Sequence, residues 1–164
     1  MLNNRIALIA KFKKNKPVLH NDLVFYNKYS VFTLKIIKNQ KFQRFIKYLL
    51  RKEKISETKI EQIKIRVFPN KNKEGQWIIG KCNRKGEINI FPKKRSLCLK
   101  IASRFGEKTF FSYVASRAKA ALIHELLHIK YLSDEKKVRT LTKKYFDIYD
   151  QNKILPYATY LLFM

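Results

Sequence analysis

Residues 122 to 129 read Leu-Ile-His-Glu-Leu-Leu-His-Ile, and this segment governs how the rest of the chain is interpreted. Apolar residues recur every three or four positions around it, which predicts a long helix that begins near residue 109 or 112 and ends at about Leu132. His124 and His128 are four residues apart, so they lie one above the other on that helix. Both imidazoles can therefore reach one Zn²⁺ ion, with which nitrogen ligands form bonds of about 2.0–2.1 Å.

Glu125 directly follows the first of these histidines. A carboxylate beside a zinc site can take a proton from an attacking water and return it to a leaving amine. This pattern predicts His124 and His128 as metal ligands and Glu125 as the catalytic base of a zinc-dependent hydrolysis. The alternative interpretation is a pair of hydrogen-bonded histidines on a partly buried helix, with Glu125 paired to a lysine.

The segment after the motif contains the candidates for a third ligand. Ser133-Asp134-Glu135 is typical of a helix start, because a hydroxyl can cap the first turn and two acids lie at the positive end of the helix dipole. The helix that follows has an apolar stripe and should pack back on the first one; the stripe consists of Val138, Leu141, Tyr145 and Ile148. Asp134 and Glu135 are thus the near candidates, with helix capping as their alternative role, while Asp147 and Asp150 are remote candidates.

The chain before the motif contains both extended and helical patterns. β-Branched and aromatic residues, or strict alternation, predict strands over residues 5–12, 19–37 and 63–67, and a hairpin with arms at 77–82 and 87–91 that turns at Gly86. Apolar residues on one face predict helices over residues 40–54 and 97–105. The fold class predicted is α+β, with a mixed sheet, the motif helix and a helix that returns after it.

Length and composition limit the class of protein. At 164 residues and 46% hydrophobic content we expect a single domain over 1–164, with a basic N-terminal α/β part (1–70), a motif-containing core (76–150) and an apolar docking segment (151–164). No apolar run approaches the roughly 20 residues of a membrane span, and the start of the chain lacks a signal-peptide core, so we expect a cytoplasmic protein. The two cysteines, Cys82 and Cys98, are too few for a disulfide framework or a four-cysteine zinc site.

Net charge predicts a polyanionic partner. The chain has 37 Lys and Arg against 12 Asp and Glu, a formal charge of +25, and residues 1–52 contain one acid, Asp22. Pairing within the chain cannot neutralise this excess, so we expect contact with phosphates, first of structured RNA and above all ribosomal RNA, then of DNA, then of an anionic membrane surface. The candidate phosphate-binding residues are Lys11, Lys13, Lys14, Lys16, Arg84, Lys85, Lys93, Lys94 and Arg95.

The motif and its surroundings, over about residues 76 to 148, resemble the zincin metallopeptidases, most closely the small archaeal members called minimal gluzincins. The resemblance implies a zincin-like mixed sheet before the motif helix, Zn²⁺ as cofactor and a protein or peptide substrate. It also implies an edge strand that aligns the substrate backbone, for which residues 87–91 are the counterpart.

The chain departs from the gluzincin pattern at the third ligand. Gluzincins place a glutamate about 20 or more residues after the motif, and here no glutamate follows Glu135. Asp134 has the spacing that resembles metzincin-type and SprT-like zincins, ten residues after His124, although Tyr131 stands where metzincins have glycine. A carboxylate from Asp134 or Glu135 is therefore the expected third ligand.

Three functions are compatible with these features. The first is a zinc metallopeptidase that acts on or beside RNA or the ribosome, which the intact Glu125 favours. The second is a non-catalytic ribosome- or nucleic-acid-binding protein that keeps a zincin fold, which the net charge favours. The third resembles the SprT-like proteases that cut DNA–protein crosslinks, although no separate DNA-binding extension is evident.

Overall fold

The computed structural model describes residues 2–10 and 18–150, which form a mixed α+β fold, as expected. The helices are α1 (His20–Lys38), α2 (Gln40–Lys52), α3 (Arg95–Phe105), α4 (Glu107–Tyr131) and α5 (Glu135–Asp150). The strands are β1 (Ile6–Ile9), β2 (Gln62–Arg66), β3 (Asn70–Lys71), β4 (Trp77–Ile78), β5 (Gly80–Cys82) and β6 (Glu87–Ile90). Short 3-10 helices occur at Leu2–Arg5 and Glu57–Lys59.

The main sheet has four strands in the order β1-β2-β6-β5. The first three run parallel, and β5 is antiparallel to β6, so the sheet is mixed. The expectation that residues 87–91 form the edge strand is wrong, because Ile88 of β6 pairs with Ile63 on one side and with Cys82 on the other. The outer strand beside α4 is β5.

The predicted hairpin is confirmed for β5 and β6. The side-chain carbonyl oxygen of Asn83 accepts hydrogen bonds from the backbone N–H groups of Lys85 (2.9 Å) and Glu87 (3.0 Å), which closes the turn. Gly86 has φ +83°, and a Cβ at this position would overlap the Lys59 carbonyl oxygen, so only glycine fits. The first arm is interrupted, because β4 pairs with β3 in a separate two-stranded sheet.

Residues 20–38 form a helix, and the strand expected over residues 19–37 is wrong. The buried residues of α1 recur at helical spacing; they are Tyr26, Tyr29, Ser30, Thr33 and Ile37. The abundance of β-branched and aromatic residues favoured an extended segment. Burial of this one face against the sheet and α4 overrides that local preference.

The other elements before and after the motif follow the prediction closely. The helices expected over residues 40–54 and 97–105 are α2 and α3, and the strands at 63–67 and 5–12 correspond to β2 and β1. Helix α5 returns along α4. Val138 and Tyr145 of its predicted stripe are buried, whereas Ile148 is exposed and Phe146 is buried instead.

Helix α4 lies at the centre of the molecule. It packs against α1, α3 and α5 and against strands β5 and β6. The largest hydrophobic cluster includes residues from Leu2 to Phe146, so the N-terminal part and the motif part share one core. In the described ranges no helix is both long and apolar enough to cross a membrane. The segment 151–164 lies outside the described residues, as do Lys11, Lys13, Lys14 and Lys16.

Candidate metal centre

Three side chains from two helices meet at one point. The Nε2 atoms of His124 and His128, both on α4, are 3.1 Å apart. Glu135 at the start of α5 places its Oε1 3.5 Å from the His124 Nε2 and its Oε2 3.3 Å from the His128 Nε2. Two ligand atoms on one tetrahedral zinc lie about 3.3–3.4 Å apart, so these separations fit a single ion.

Hydrogen bonds on the far side of each imidazole fix which nitrogen faces this point. The His128 Nδ1 lies 2.5 Å from the Leu132 carbonyl oxygen, an acceptor only, so Nδ1 carries the proton and donates it. The Thr142 hydroxyl donates to the Val138 carbonyl (2.7 Å), which leaves its oxygen free to accept from the His124 Nδ1 at 3.3 Å. In each neutral imidazole the Nε2 atom therefore presents a lone pair, as metal ligation requires.

Burial disfavours the protonated, positively charged form of His124. It lowers the pKa of His124 to about 4, even though the Glu135 carboxylate acts in the opposite direction. At neutral pH His124 is then an uncharged acceptor beside another imidazole and a carboxylate. Acceptors at such short separations repel one another unless a cation lies between them. This donor set of two imidazoles and one carboxylate is one that zinc prefers when a fourth position stays open.

The two predicted acids, Asp134 and Glu135, make different contacts where α4 connects to α5. Asp134 Oδ1 accepts from the Lys137 backbone N–H at 3.1 Å and so caps α5. Glu135 instead joins the two histidines in a cluster that could hold a metal ion.

Leu132 adopts φ +50°, a conformation that costs a non-glycine residue energy, and its carbonyl receives the His128 hydrogen bond. The remote candidates Asp147 and Asp150 do not belong to the cluster formed by the described residues.

Glu125 lies between α4 and β5. It is 5% exposed, and a Cβ placed on Gly80 would lie 2.5 Å from its Oε1 and 2.7 Å from its Cγ. A side chain at this strand position would force the Glu125 carboxylate to move. Burial, and secondarily the Glu135 charge, raise the pKa of Glu125 to about 8, while a backbone hydrogen bond from Cys82 acts against this. A buried carboxyl with such a pKa suits proton transfer near neutral pH.

A cleft of about 360 Å³ opens beside the three side chains. One wall is the face of α4 that carries Arg117, Ala120, Ala121, His124 and Glu125. The opposite wall is the end of the hairpin, formed by Ile78, Ile79 and Gly80, and α5 contributes Glu135, Arg139 and Thr142. The cleft is therefore bordered by the outer strand of the sheet and contains Glu125 together with the candidate ligands.

The predicted phosphate-binding residues differ in how exposed they are and in whether they form an ion pair. Arg84 and Lys85 are exposed in the hairpin turn, and Lys94 is exposed before α3. Arg95 forms an ion pair with Asp22 at 3.0 Å, which ties the start of α3 to α1. Lys93 is half-buried.

Gly80, Arg117 and Thr142 are among the cleft residues that sequence reasoning missed. Gly80 was one of four glycines and stood inside a predicted strand, which is a known sign of close approach by another group. Arg117 lies seven residues before His124 and so on the same helix face. Thr142 gave no signal, because its contact with His124 depends on how α5 packs against α4.

Compared with protein-family models, with curated proteins and with solved structures, the chain has no significant match.

Proposed function

We propose that the protein is a zinc-dependent metallopeptidase with a zincin-like catalytic centre, in which His124, His128 and Glu135 hold the ion. The observation that carries the proposal is the convergence of three possible ligand groups within 3.1–3.5 Å, with the Nδ1 of each imidazole hydrogen-bonded away from that point. Hydrogen-bonded histidines on a structural helix would present donors to acceptors. In the neutral tautomers that the Nδ1 hydrogen bonds favour, three acceptors face one another instead.

The cleft residues have separate tasks in peptide hydrolysis. A Zn²⁺ ion, when bound, supplies a Lewis acid that polarises the scissile carbonyl. Glu125 accepts a proton from the attacking water and returns it to the leaving amine. Burial raises the pKa of Glu125 to about 8, and a cation held by the neighbouring ligands would lower it towards neutral pH and so favour the base form.

The sheet edge supports an extended substrate. β5 is the last strand of the main sheet in the described part of the chain, and its Gly80 lines the cleft next to Glu125. A peptide that adds to such an edge forms main-chain hydrogen bonds and lies extended across the centre. This favours a protein or peptide substrate over a small metabolite.

Hydrolysis by the Glu125→Gln variant tests the mechanism. The glutamine amide has nearly the same volume and cannot act as a base, so we expect zinc to stay bound and cleavage of a mixed peptide library to fall by about 10²–10⁴-fold. Products are measured by mass spectrometry after equal times, with zinc content determined on the same samples. Cleavage at the wild-type rate by a zinc-loaded variant would refute the role of Glu125.

A second function, binding to nucleic acid, is supported by the distribution of charge. Several acids are not available to pair with the exposed cations, because Glu53 and Glu125 are buried and Glu87 pairs with Lys64. Trp77 is 46% exposed beside the cleft, and Lys71 Nζ lies 4.6 Å from its ring. Exposed cations and an aromatic ring are typical of surfaces that contact phosphates and bases. Structured RNA remains the proposed partner, and DNA the alternative.

A further inference from the structure

Arg117 is a buried cation at one end of the cleft. It lies seven residues before His124 on α4, on the helix face that lines the cleft, and it is 6% exposed. The two small residues between them, Ala120 and Ala121, leave the floor of the cleft open. At about 1.5 Å of rise per residue, Arg117 stands about 10 Å from His124 along the helix axis.

Hydrogen bonds hold the Arg117 side chain in place, but their acceptors are uncharged and do not neutralise its positive charge. Its Nη1 donates to the Phe91 carbonyl oxygen at 2.6 Å and lies 3.5 Å from the Tyr29 hydroxyl. No carboxylate among residues 2–10 and 18–150 forms an ion pair with it. A guanidinium withdrawn from water without an anionic partner is costly, and the cost is offset when an anion binds.

Lys93 is a second cation that interacts with Arg117 and adds to the local positive charge. Burial lowers the pKa of Lys93, and the charge of Arg117 lowers it further. The Lys93 Nζ lies 5.7 Å from the centre of the Tyr113 ring, so its neighbour there is aromatic. Lys93 is not among the residues that line the cleft, but its charge and that of Arg117 repel each other, and an anion bound to Arg117 would offset this repulsion.

The position of Arg117 relates this site to an extended peptide. Phe91, whose carbonyl Arg117 holds, donates its backbone N–H to Ile79 on the opposite wall of the cleft at 2.9 Å. Arg117 therefore bridges the two walls at the end away from Glu135. An extended peptide advances about 3.3 Å per residue, so a span of about 10 Å corresponds to about three residues.

We propose that Arg117 forms a carboxylate-binding subsite, which selects substrates that carry a carboxylate about three residues from the scissile bond. The planar fork of arginine can bind both oxygens of a carboxylate, which gives direction as well as affinity. The inference rests on the proposed peptidase function. The carboxylate comes either from an acidic side chain or from the end of the peptide.

Binding to the zinc-loaded Glu125→Gln protein tests the subsite without catalysis. The probes are acetylated and amidated heptapeptides with glutamate at one position and glutamine elsewhere, together with a shorter peptide that ends in a free carboxylate at the same distance. Trp77, the one tryptophan of the chain, directly precedes Ile78 of the cleft wall and provides a fluorescence signal. Calorimetry provides a second readout. We expect about 10–100-fold tighter binding when the carboxylate lies three residues from the central bond, on one side only.

Variants of Arg117 separate this subsite from general attraction to a positive protein. Arg117→Met keeps the length of the side chain without the charge, and Arg117→Lys keeps the charge without the fork. We expect both to reduce the preference for carboxylate peptides over their amide counterparts, Met fully and Lys in part, while zinc content stays unchanged. Arg104→Met removes an exposed arginine of α3 that does not line the cleft, and it should keep the preference.

The outcomes distinguish this inference from the proposed function. Equal binding of carboxylate and amide peptides by the zinc-loaded Glu125→Gln protein would overturn the subsite, and this comparison needs no variant of Arg117. A preference that survives in Arg117→Met but disappears in Arg139→Met would assign it to the other cleft arginine and equally overturn the subsite. Failure of the proposed function appears instead as absence of zinc or as full activity of Glu125→Gln.

Discussion

Thr142 is a residue whose effect on the centre comes through another side chain. Its hydroxyl donates to the Val138 carbonyl and accepts from the His124 Nδ1, so it holds the imidazole in the tautomer whose Nε2 is free. It is 2% exposed, which protects the hydrogen bond from competition with water. Partners of this kind set the orientation and basicity of a metal ligand.

Removal of this hydroxyl should weaken zinc binding. In Thr142→Val the methyl group replaces the acceptor, and we expect the Kd for zinc to rise about tenfold with little loss of folding. The control is Thr140→Val, because the Thr140 hydroxyl makes the same type of bond to its own helix, to the Lys136 carbonyl at 2.9 Å, and is exposed. Competition with a chromogenic chelator measures both variants. Equal zinc affinities in the two would contradict the role of Thr142.

The short distance between Gly80 and Glu125 predicts that substitutions at the two positions have coupled effects on the free energy of unfolding. A methyl group at Gly80 would lie 2.5 Å from Glu125 Oε1, so Gly80→Ala should cost about 1–3 kcal/mol in free energy of unfolding through overpacking. In a Glu125→Ala background the methyl group has space, and most of that cost should vanish. Urea unfolding of the four proteins gives the coupling energy. Additive effects would show that the two residues are not in contact.

At the level of elements, Glu53 links three helices around the centre. It follows α2 and receives hydrogen bonds from Tyr131 and Lys130 at the end of α4 and from Tyr145 on α5. Lys130 also donates to the Glu53 backbone carbonyl at 2.7 Å. Glu53 is 8% exposed, so these donors replace water. This cluster fixes α5, and with it Glu135, against α4.

The Glu53→Gln variant should be less stable in a pH-dependent way. Burial alone would raise the pKa of Glu53, but the hydrogen bonds from Tyr131, Tyr145 and Lys130 outweigh it and lower the pKa below 4.5. The ionised form therefore stabilises the fold above pH 4.5, and this contribution is lost as the pH falls through the folded-state pKa. We expect a loss of about 1.5–3 kcal/mol at pH 7 that shrinks in acid. Denaturation of Glu53→Gln and of the exposed control Glu61→Gln measures it; a pH-independent difference would contradict the prediction.

The elements also mark the limit of what sequence patterns could predict. Helices α2 and α5 followed from apolar spacing, because each buries one face and exposes charges on the other, and α4 followed from apolar residues that recur at helical spacing although it is buried on several sides. α1 did not, since its β-branched residues satisfy a strand pattern equally well until packing selects one face. The ligand pair Asp134 and Glu135 was predicted, but which of them faces the histidines depends on the backbone turn at Leu132. Such a turn leaves no periodic signal.

At the level of the whole molecule, charge is the dominant feature. The chain has a formal charge of +25. In the described part, ion pairs engage only a small share of the cations, among them Lys64, Arg95, Lys130 and Arg139. These few pairs leave most of the positive charge without a partner of opposite sign, so the remaining charge needs an external counterion.

Affinity for structured RNA should depend steeply on salt. Phosphate contacts release counterions, so the logarithm of the binding constant should fall linearly with the logarithm of salt concentration. Replacement of the exposed Arg84, Lys85 and Lys94 by glutamine should reduce the slope by about one unit for each phosphate that the protein no longer binds, and should leave zinc content unchanged. Co-sedimentation with ribosomes and titration with RNA and DNA test this. A protein that binds neither RNA nor DNA at about 50 mM salt would refute the nucleic-acid partner.

Metal content is the decisive measurement, because the proposed chemistry depends on one zinc ion held by His124, His128 and Glu135. Wild-type protein purified without chelator and analysed by plasma mass spectrometry should contain about one zinc per chain. His124→Ala, His128→Ala and Glu135→Ala should lose it, because each leaves too few ligands, whereas Asp134→Ala should keep the zinc and lose about 1 kcal/mol through its helix cap. A metal-free wild-type protein, or zinc lost from Asp134→Ala and kept by Glu135→Ala, would contradict this metal centre.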